Sequence, residues 1–378
     1  MELSHYFKGI EIESDREGTL IDCITPYSDA VDCREFDLAI LFVPENRWMS
    51  NERADHTYQI AAVLNEFASL FVHDYEPKIL YFGEFILGNE IADTEAGLSE
   101  VIGQLVQSKV IPIILGGGRN LTYSMYKAFE AQEQIVNITS VDNYLNLDES
   151  TVQNYIGRII KEQPNYLFNY SNIGYQTYFV SPRELELADE LYFDAYRLGL
   201  VRGEVYSVEP VLRSAEVTSF SMDAIKSSDF GANCEPQPNG IYAEEACQMF
   251  RYIGLAEKTK VVLLTELTGE GATRRDDLLL AEMLWCIVDG FYGRRSEIPG
   301  AKKEGFLKYR VPLRNDEFQL IFYKSAATDR WWMEVPVPPQ YANKYRQHHL
   351  VPCAYEDYLI ATRDDLPERW WKAYKKML

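Results

Sequence analysis

The sequence predicts an α/β fold built on a mostly parallel sheet, followed by a small antiparallel appendage. Three observations lead there. Seven short apolar runs alternate with amphipathic helical patterns between about residues 36 and 293, and strands separated by helices form a parallel sheet covered on both faces. Beyond residue 300 the pattern changes to an apolar/polar alternation of period two, the mark of half-buried antiparallel strands. A chain of 378 residues that is 47% hydrophobic and 25% charged can also bury a large core, which excludes disorder as its main state.

Taken in order, residues 1–35 open on a polar, acidic stretch and read as an N-terminal extension. The runs at 36–43 (FDLAILFV), 78–82, 110–115, 135–141, 166–173, 217–222 and 261–264 are short, apolar and bounded by polar or turn residues, as buried strands are. Between them lie helices. Ala243, Ala246, Cys247, Phe250 and Ile253 fall on one stripe of a helix over 242–256, and Leu280, Leu284, Ile287, Val288 and Phe291 do the same in the last helix of the main domain. That domain is expected to end at residue 293, just before Arg294, Arg295 and the Pro299-Gly300 turn signal. In the appendage, 294–378, the segments 307–313 and 318–323 predict a hairpin turning at 314–317, with 331–335 as a third strand. Residues 364–378 suit a terminal helix carrying Trp370 and Trp371, with acids in its first turn and lysines in its last.

Charge narrows the partners. A net charge of -21 repels nucleic acid and anionic membrane surfaces, so neither is an expected partner. No span approaches the roughly 20 apolar residues of a bilayer crossing, and the start lacks a signal-peptide pattern, which predicts a cytoplasmic location. The charge is uneven: residues 294–378 carry 16 Lys and Arg against 11 Asp and Glu, so the appendage is basic on an acidic chain. Such a tail is expected either to be solvated or to dock on an acidic face, its own or a neighbour's. The six cysteines show no metal-ligand spacing and read as scattered reduced thiols. The five histidines stand at 5, 56, 73, 348 and 349, so a site built from residues 74 to 347 has no imidazole to use as ligand or proton shuttle.

Three segments follow predicted strands, where parallel α/β sheets place their reactive residues. They are Gly116-Gly117-Gly118-Arg119-Asn120-Leu121-Thr122-Tyr123, then Ser140-Val141-Asp142-Asn143-Tyr144-Leu145-Asn146-Leu147, then Ser219-Phe220-Ser221-Met222-Asp223-Ala224. Singly each is weak; the glycine run lacks the Lys-Ser/Thr of a phosphate loop. In this order and spacing they resemble the signatures of the ureohydrolase (arginase) family, and most of all its formimidoylglutamase branch: Gly-Gly-Gly-His-Asp-Leu-Thr-Tyr, Asp-Ala-His-x-Asp-Leu and Ser-Phe-Asp-x-Asp-Ala. Segments 87–94, 224–229, 236–240 and 244–248 extend the resemblance over about residues 36 to 293. It implies a three-layer α/β/α domain on a mainly parallel eight-stranded sheet, assembled into trimers or hexamers.

The family's chemistry, as the resemblance implies it, uses two Mn²⁺ ions held by two His and four Asp, with a bridging hydroxide that attacks an amidine or guanidinium carbon. At the matching positions Arg119 and Tyr144 replace the two His, Asn146 and Ser221 replace two Asp, and only Asp142 and Asp223 are kept. Losing both imidazoles and a bridging carboxylate should abolish tight manganese binding, since even outer-shell changes cost about 10- to 100-fold. Arg119 puts a permanent cation where a neutral ligand would donate a lone pair. The guanidinium is therefore expected to pair with Asp142, Asp223 or both. Residual Mg²⁺ or Ca²⁺ binding through these acids stays open, because the retained donors are hard oxygens.

On the substrate side, Glu266 in Thr265-Glu266-Leu267-Thr268 resembles the family glutamate that accepts hydrogen bonds from the amidine group. Tyr175, Tyr178 and Arg183 are candidates for the rim of the mouth, and Cys234 is the one thiol near the pocket loops. The leading expectation is a pseudoenzyme, a catalytically inactive ureohydrolase-fold protein that serves in binding or assembly, with no cofactor and no catalytic residue assigned. Its partners would be copies of itself and a protein docked on residues 294–378. The alternatives are an Mn²⁺-dependent amidine hydrolase with a degenerate site and a small-molecule sensor.

Overall fold

The computed structural model of the protein describes residues 2–48, 56–148, 154–299, 304–313 and 318–378. Ten strands form the main sheet: β1 (Phe7–Lys8), β2 (Ile24–Pro26), β3 (Leu38–Phe42), β4 (Ile79–Phe85), β5 (Ile111–Leu115), β6 (Val136–Val141), β7 (Leu167–Tyr175), β8 (Asp194–Arg197), β9 (Val217–Ser221) and β10 (Val261–Thr265). Their spatial order is β1-β4-β3-β5-β10-β9-β6-β7-β8, with β2 also paired to β4, and every pair is parallel except β1 with β4.

All seven expected strands are present. They were legible because residues facing both ways are buried. In β3, Leu38, Ile40 and Phe42 join one hydrophobic cluster while Ala39 and Leu41 join the other; Ile113 and Ile114 of β5 divide in the same way. Helices 60–68, 243–255 and 274–292 cover the first face, and helices 91–107, 122–130 and 155–161 the second, which makes three layers. The sheet has ten strands where the resemblance implied eight. Two of its strands, β1 and β2, come from residues 1–35 and are too short and polar to signal themselves; β8 (DAYR) is missed for the same reason.

The central order has a consequence for position. Strands β5, β10, β9 and β6 lie side by side and parallel, in an order that differs from their order in the chain, so the loops that follow them converge at the carboxyl edge of the sheet.

The helices spanning 243–255 and 274–292 pack on each other through two glycines. A Cβ on Gly254 would stand 2.3 Å from the Ile287 carbonyl oxygen, and one on Gly290 would stand 2.5 Å from that of Arg251. Those contacts are with backbone, which has no rotamer to give.

The appendage forms a separate antiparallel sheet of β11 (Phe306–Leu313), β12 (Phe318–Ser325), β13 (Trp331–Glu334) and β14 (Leu350–Cys353). The hairpin and the third strand follow the expectation, while the expected turn at 314–317 lies outside the described residues. Strand β14, with Pro352 inside it, and a helix over Tyr355–Thr362 were not foreseen; the terminal helix spans Glu368–Met377. The basic appendage docks on its own chain. Arg330 pairs with Glu209 at 3.1 Å, and Lys372 lies 3.4 Å from Asp194 on β8 and donates to the Phe193 carbonyl. No helix among the described residues is long and apolar enough to cross a membrane.

Gly290→Ala should cost about 1–3 kcal/mol, because a methyl group must force two helix backbones apart. At Gly199, a helical position where a Cβ meets nothing within 4 Å, the same substitution should be neutral or slightly stabilising. Urea unfolding of the two variants checks this, and equal stabilities would contradict the close-approach argument.

Candidate functional site

Four adjacent strand ends deliver the site. The turn after β5 needs glycine: Gly116 has φ +90 and Gly117 φ +74, and a Cβ on Gly116 would lie 2.8 Å from the Phe42 ring and 2.9 Å from the Val43 carbonyl oxygen. The turn is tied to its neighbours by Gly116 N–H donating to the Leu264 carbonyl and Gly118 N–H to that of Glu45. It directs Arg119 inward at the start of a short 3₁₀ turn (Arg119–Leu121). Asp142 follows β6, Ser221 ends β9 with Asp223 two residues on, and Glu266 follows β10.

These residues meet. Arg119 is only 6% exposed and its guanidinium spans three carboxylates: Nη1 to Asp142 Oδ1, Nη2 to Asp223 Oδ2 and Nε to Glu266 Oε1, each at 3.0 Å. The Arg119 backbone N–H also donates to Glu266 Oε1 at 2.8 Å. Glu266 holds this position with φ +62, a region that costs a non-glycine residue energy, and its own N–H donates to the Gly117 carbonyl. The expected pairing with Asp142 or Asp223 is thus met by both acids at once.

The remaining predicted positions take supporting parts. Asn146, also at positive φ, donates from Nδ2 to Asp142 Oδ2 at 3.1 Å. Tyr144 gives its N–H to Asp142 Oδ1 at 3.3 Å and lays its ring 5.1 Å from the Arg119 Cζ. Its hydroxyl donates to Glu235 Oε2 at 3.0 Å. Ser221 is buried, and its Oγ has no hydrogen-bond partner.

Sequence reasoning missed two contributors. Glu235 accepts from Tyr144, and its N–H donates to Asp223 Oδ1 at 2.8 Å. Phe179 stacks on Tyr144 at 5.3 Å and meets Tyr178 edge-on at 4.7 Å. Their signal was adjacency: Glu235 follows Cys234, and Phe179 lies between two rim candidates. Of those candidates, Tyr178 is 67% exposed at the outer end of this aromatic stack and Tyr175 is buried. Arg183 belongs to a surface helix, beside Glu186 and Glu190, and does not join the cluster.

Electrostatics follow from three acids facing one cation in a dry place. Burial by itself would lower the Arg119 pKa, but Asp142, Glu266 and Asp223 outweigh it and leave the guanidinium firmly charged. Burial pushes Asp142 up from its usual 3.8, with Arg119 and the Asn146 amide offsetting part of the rise. Asp223 is raised much further, by burial first and then by the like charge of Glu266. The two directions agree physically: one guanidinium faces three buried carboxylates, and their like charges oppose full ionisation of the cluster.

Two Mn²⁺ ions do not fit this donor set. The space between the two retained aspartates is filled by guanidinium N–H groups, which donate and cannot ligate, and the Asn146 amide turns its N–H₂ toward Asp142. Among the described residues no group of three or more His, Cys, Asp or Glu could hold a metal ion. Cys234 is buried, and burial together with Glu266 and Asp223 pushes its thiol well up, away from the nucleophilic thiolate.

Comparison with known proteins places this geometry. A model of the Arginase family matches residues 50–287. A formimidoylglutamase of Lysinibacillus sphaericus is 28% identical over 123 residues, 31% of this chain; the match spans only 38% of that relative's length. Among solved structures, formimidoylglutamase from Bacillus subtilis superposes with a TM-score of 0.65 at 14% identity, covering 76% of this chain and 95% of that one. Formiminoglutamase from Trypanosoma cruzi, crystallised with Mn²⁺, gives 0.62 at 18% identity over 71% and 97%. Arginase from Bacillus subtilis gives 0.56 at 11% identity over 67% and 98%. At such identities these structures speak for the fold alone.

Arg119→Met should destabilise the protein by about 3–5 kcal/mol in urea unfolding, because it strands three buried acids without their cation; a loss below about 1 kcal/mol would mean the cluster is not structural. A second outcome concerns pH. The folded-state pKa of Asp223 lies above its unfolded value, so its contribution to stability is full below about pH 4 and is lost as pH rises through the raised pKa. Asp223→Asn removes that dependence, and the Tm of the variant relative to the parent should climb as pH rises above about 4. A pH-independent difference would contradict the upward shift of Asp223.

Proposed function

Since the chain belongs to the arginase family, we propose that it is a member without hydrolytic activity, in which the Arg119 guanidinium stands where relatives carry metal and the protein serves as a binding or assembly component. The single observation that carries this reading is the triple contact of Arg119 with Asp142, Asp223 and Glu266. Hydrolysis of an amidine needs an activated water and a group to take its proton. Here the acids that would orient metal are held by Arg119, and the glutamate that would receive an amidine already receives the chain's own guanidinium. Arg119 thereby mimics a bound cationic substrate and fills the pocket from within.

The same occupancy argues against a sensor of small cationic ligands, which would have to displace an intramolecular ion pair. A binding role then falls to the outer surface: to a homo-oligomer of the kind the family resemblance implies, and to the part of residues 294–378 not engaged with Glu209 and Asp194. The thiol of Cys234 supplies no substitute nucleophile, because burial together with Glu266 and Asp223 raises its pKa.

Metal analysis of the purified protein, with hydrolysis assays on formimidoylglutamate, arginine and agmatine in added Mn²⁺, tests the proposal. The expected result is neither stoichiometric manganese nor turnover, and either one overturns it. A variant carrying Arg119→His, Tyr144→His, Asn146→Asp and Ser221→Asp should gain manganese binding, since those four changes restore the ligand types that the family pattern requires.

A further inference from the structure

The six cysteines are scattered along the chain, yet packing brings two of them together. Cys247 lies on the helix Ala243–Leu255 and Cys286 on the helix Arg274–Tyr292, the two that meet through Gly254 and Gly290. Contacts between these helices advance in the same direction along both. A Cβ on Gly290 would stand 2.5 Å from the Arg251 carbonyl oxygen, and one on Gly293 would stand 3.2 Å from the Leu255 side chain. The helices therefore run parallel. Stepping back four residues on each, from Arg251 and from Gly290, is about one turn and brings Cys247 opposite Cys286. Their thiols share a hydrogen bond.

Both thiols are partly exposed, so solvent reaches them in the folded protein, whereas Cys33, Cys234 and Cys353 are buried. Cys23 is partly exposed too, but burial with Asp22 and Glu76 nearby pushes its thiol up. The two members of the pair differ from each other. The hydrogen bond from Cys247 lowers the Cys286 pKa against burial, and the Arg251 guanidinium, itself paired with Asp289, adds to this against Glu282. The same hydrogen bond, with burial, raises Cys247, which keeps its proton. One sulfur is favoured as thiolate, and a protonated thiol lies in contact with it. That is the arrangement of an attacking and a resolving cysteine.

We propose that Cys247 and Cys286 form a redox modification site, at which a hydroperoxide oxidises the pair to a reversible disulfide that clamps the two helices. The Cys286 thiolate attacks one oxygen of hydrogen peroxide; an S–O bond forms, the O–O bond breaks, and the hydroxide released takes a proton from solvent. The Cys247 sulfur then attacks the Cys286 sulfenic acid, forming the S–S bond and breaking the S–O bond, while the Cys247 proton leaves with the departing hydroxyl as water. The two thiols lose two electrons, and the peroxide is reduced to two molecules of water. Dithiothreitol reverses the bridge by thiol–disulfide exchange. The segment between the two cysteines carries β10 and Glu266, so the bridge closes a covalent loop around a strand that feeds the Arg119 cluster. The site rests on the packing of two helices and not on the function proposed above.

Treating the reduced full-length protein with hydrogen peroxide, then alkylating it and mapping its peptides by mass spectrometry, tests the proposal. Two of the six thiols should be lost, as a cross-link between the Cys247 and Cys286 peptides, and dithiothreitol should restore both. The oxidised protein should melt a few degrees above the reduced one, because the closed loop restricts the unfolded chain. Two variants, checked for native circular dichroism, separate the roles. Cys247→Ser should accumulate sulfenic acid at Cys286, captured by dimedone, whereas Cys286→Ser should give much weaker labelling at Cys247. Failure of the folded protein to form this cross-link, an oxidised form that melts no higher, or equal labelling in the two variants overturns the proposal.

Discussion

One buried guanidinium organises the carboxyl edge of this sheet. Arg119 links the ends of β5, β6, β9 and β10 through Asp142, Asp223 and Glu266, four strands that stand side by side in an order different from that in the chain. Four converging loops with three acids at their tips repel one another in a low-dielectric interior, and such a cluster holds together only with a cation at its centre. A metal is one solution. A side chain fixed by its own backbone is another, and it needs no supply from solution. The remaining side chains serve that centre: Asn146 and the Tyr144 and Glu235 backbone N–H groups satisfy the outer carboxylate oxygens, and the Tyr144 ring lies against the guanidinium, with Phe179 stacked on it.

The substitution also changes what the site can do. A divalent ion leaves coordination positions open to water and substrate, whereas a guanidinium with Nε, Nη1 and Nη2 each committed to a carboxylate leaves none of the three nitrogens idle. The three acids keep a formal excess of negative charge over the one guanidinium, and burial, with the like charge of Glu266, raises the pKa of Asp142 and Asp223. The fold that delivers these residues is the one shared with the arginase family.

The appendage follows a different logic. Its strands and terminal helix bury their own cluster around Phe322, Met333 and Trp370, and two of its cations, Arg330 and Lys372, meet Glu209 and Asp194 on the main domain. Arg213 lies at that junction. It carries a cation from the main domain into contact with the carbonyls and the ring of the appendage, beside the cleft between the two.

The sequence alone determined the layers. Runs such as 36–43 and 110–115 bury both faces, so they read as continuous apolar stretches, and the alternation with helical stripes identified a parallel sheet. It also determined that Arg119, Asp142, Tyr144, Asn146, Ser221, Asp223 and Glu266 follow strand ends, because chain order after a buried strand is local information. Short polar strands such as Asp194–Arg197 escaped it, since they are held by neighbours rather than by their own composition. Only the tertiary structure decided that one guanidinium takes three acids at once, that Glu235 closes the ring through Tyr144, and that Arg183 stays outside. The reason is that strand order across a sheet is set by packing between distant segments, and ion pairing depends on distances of a few ångströms that no spacing along the chain encodes.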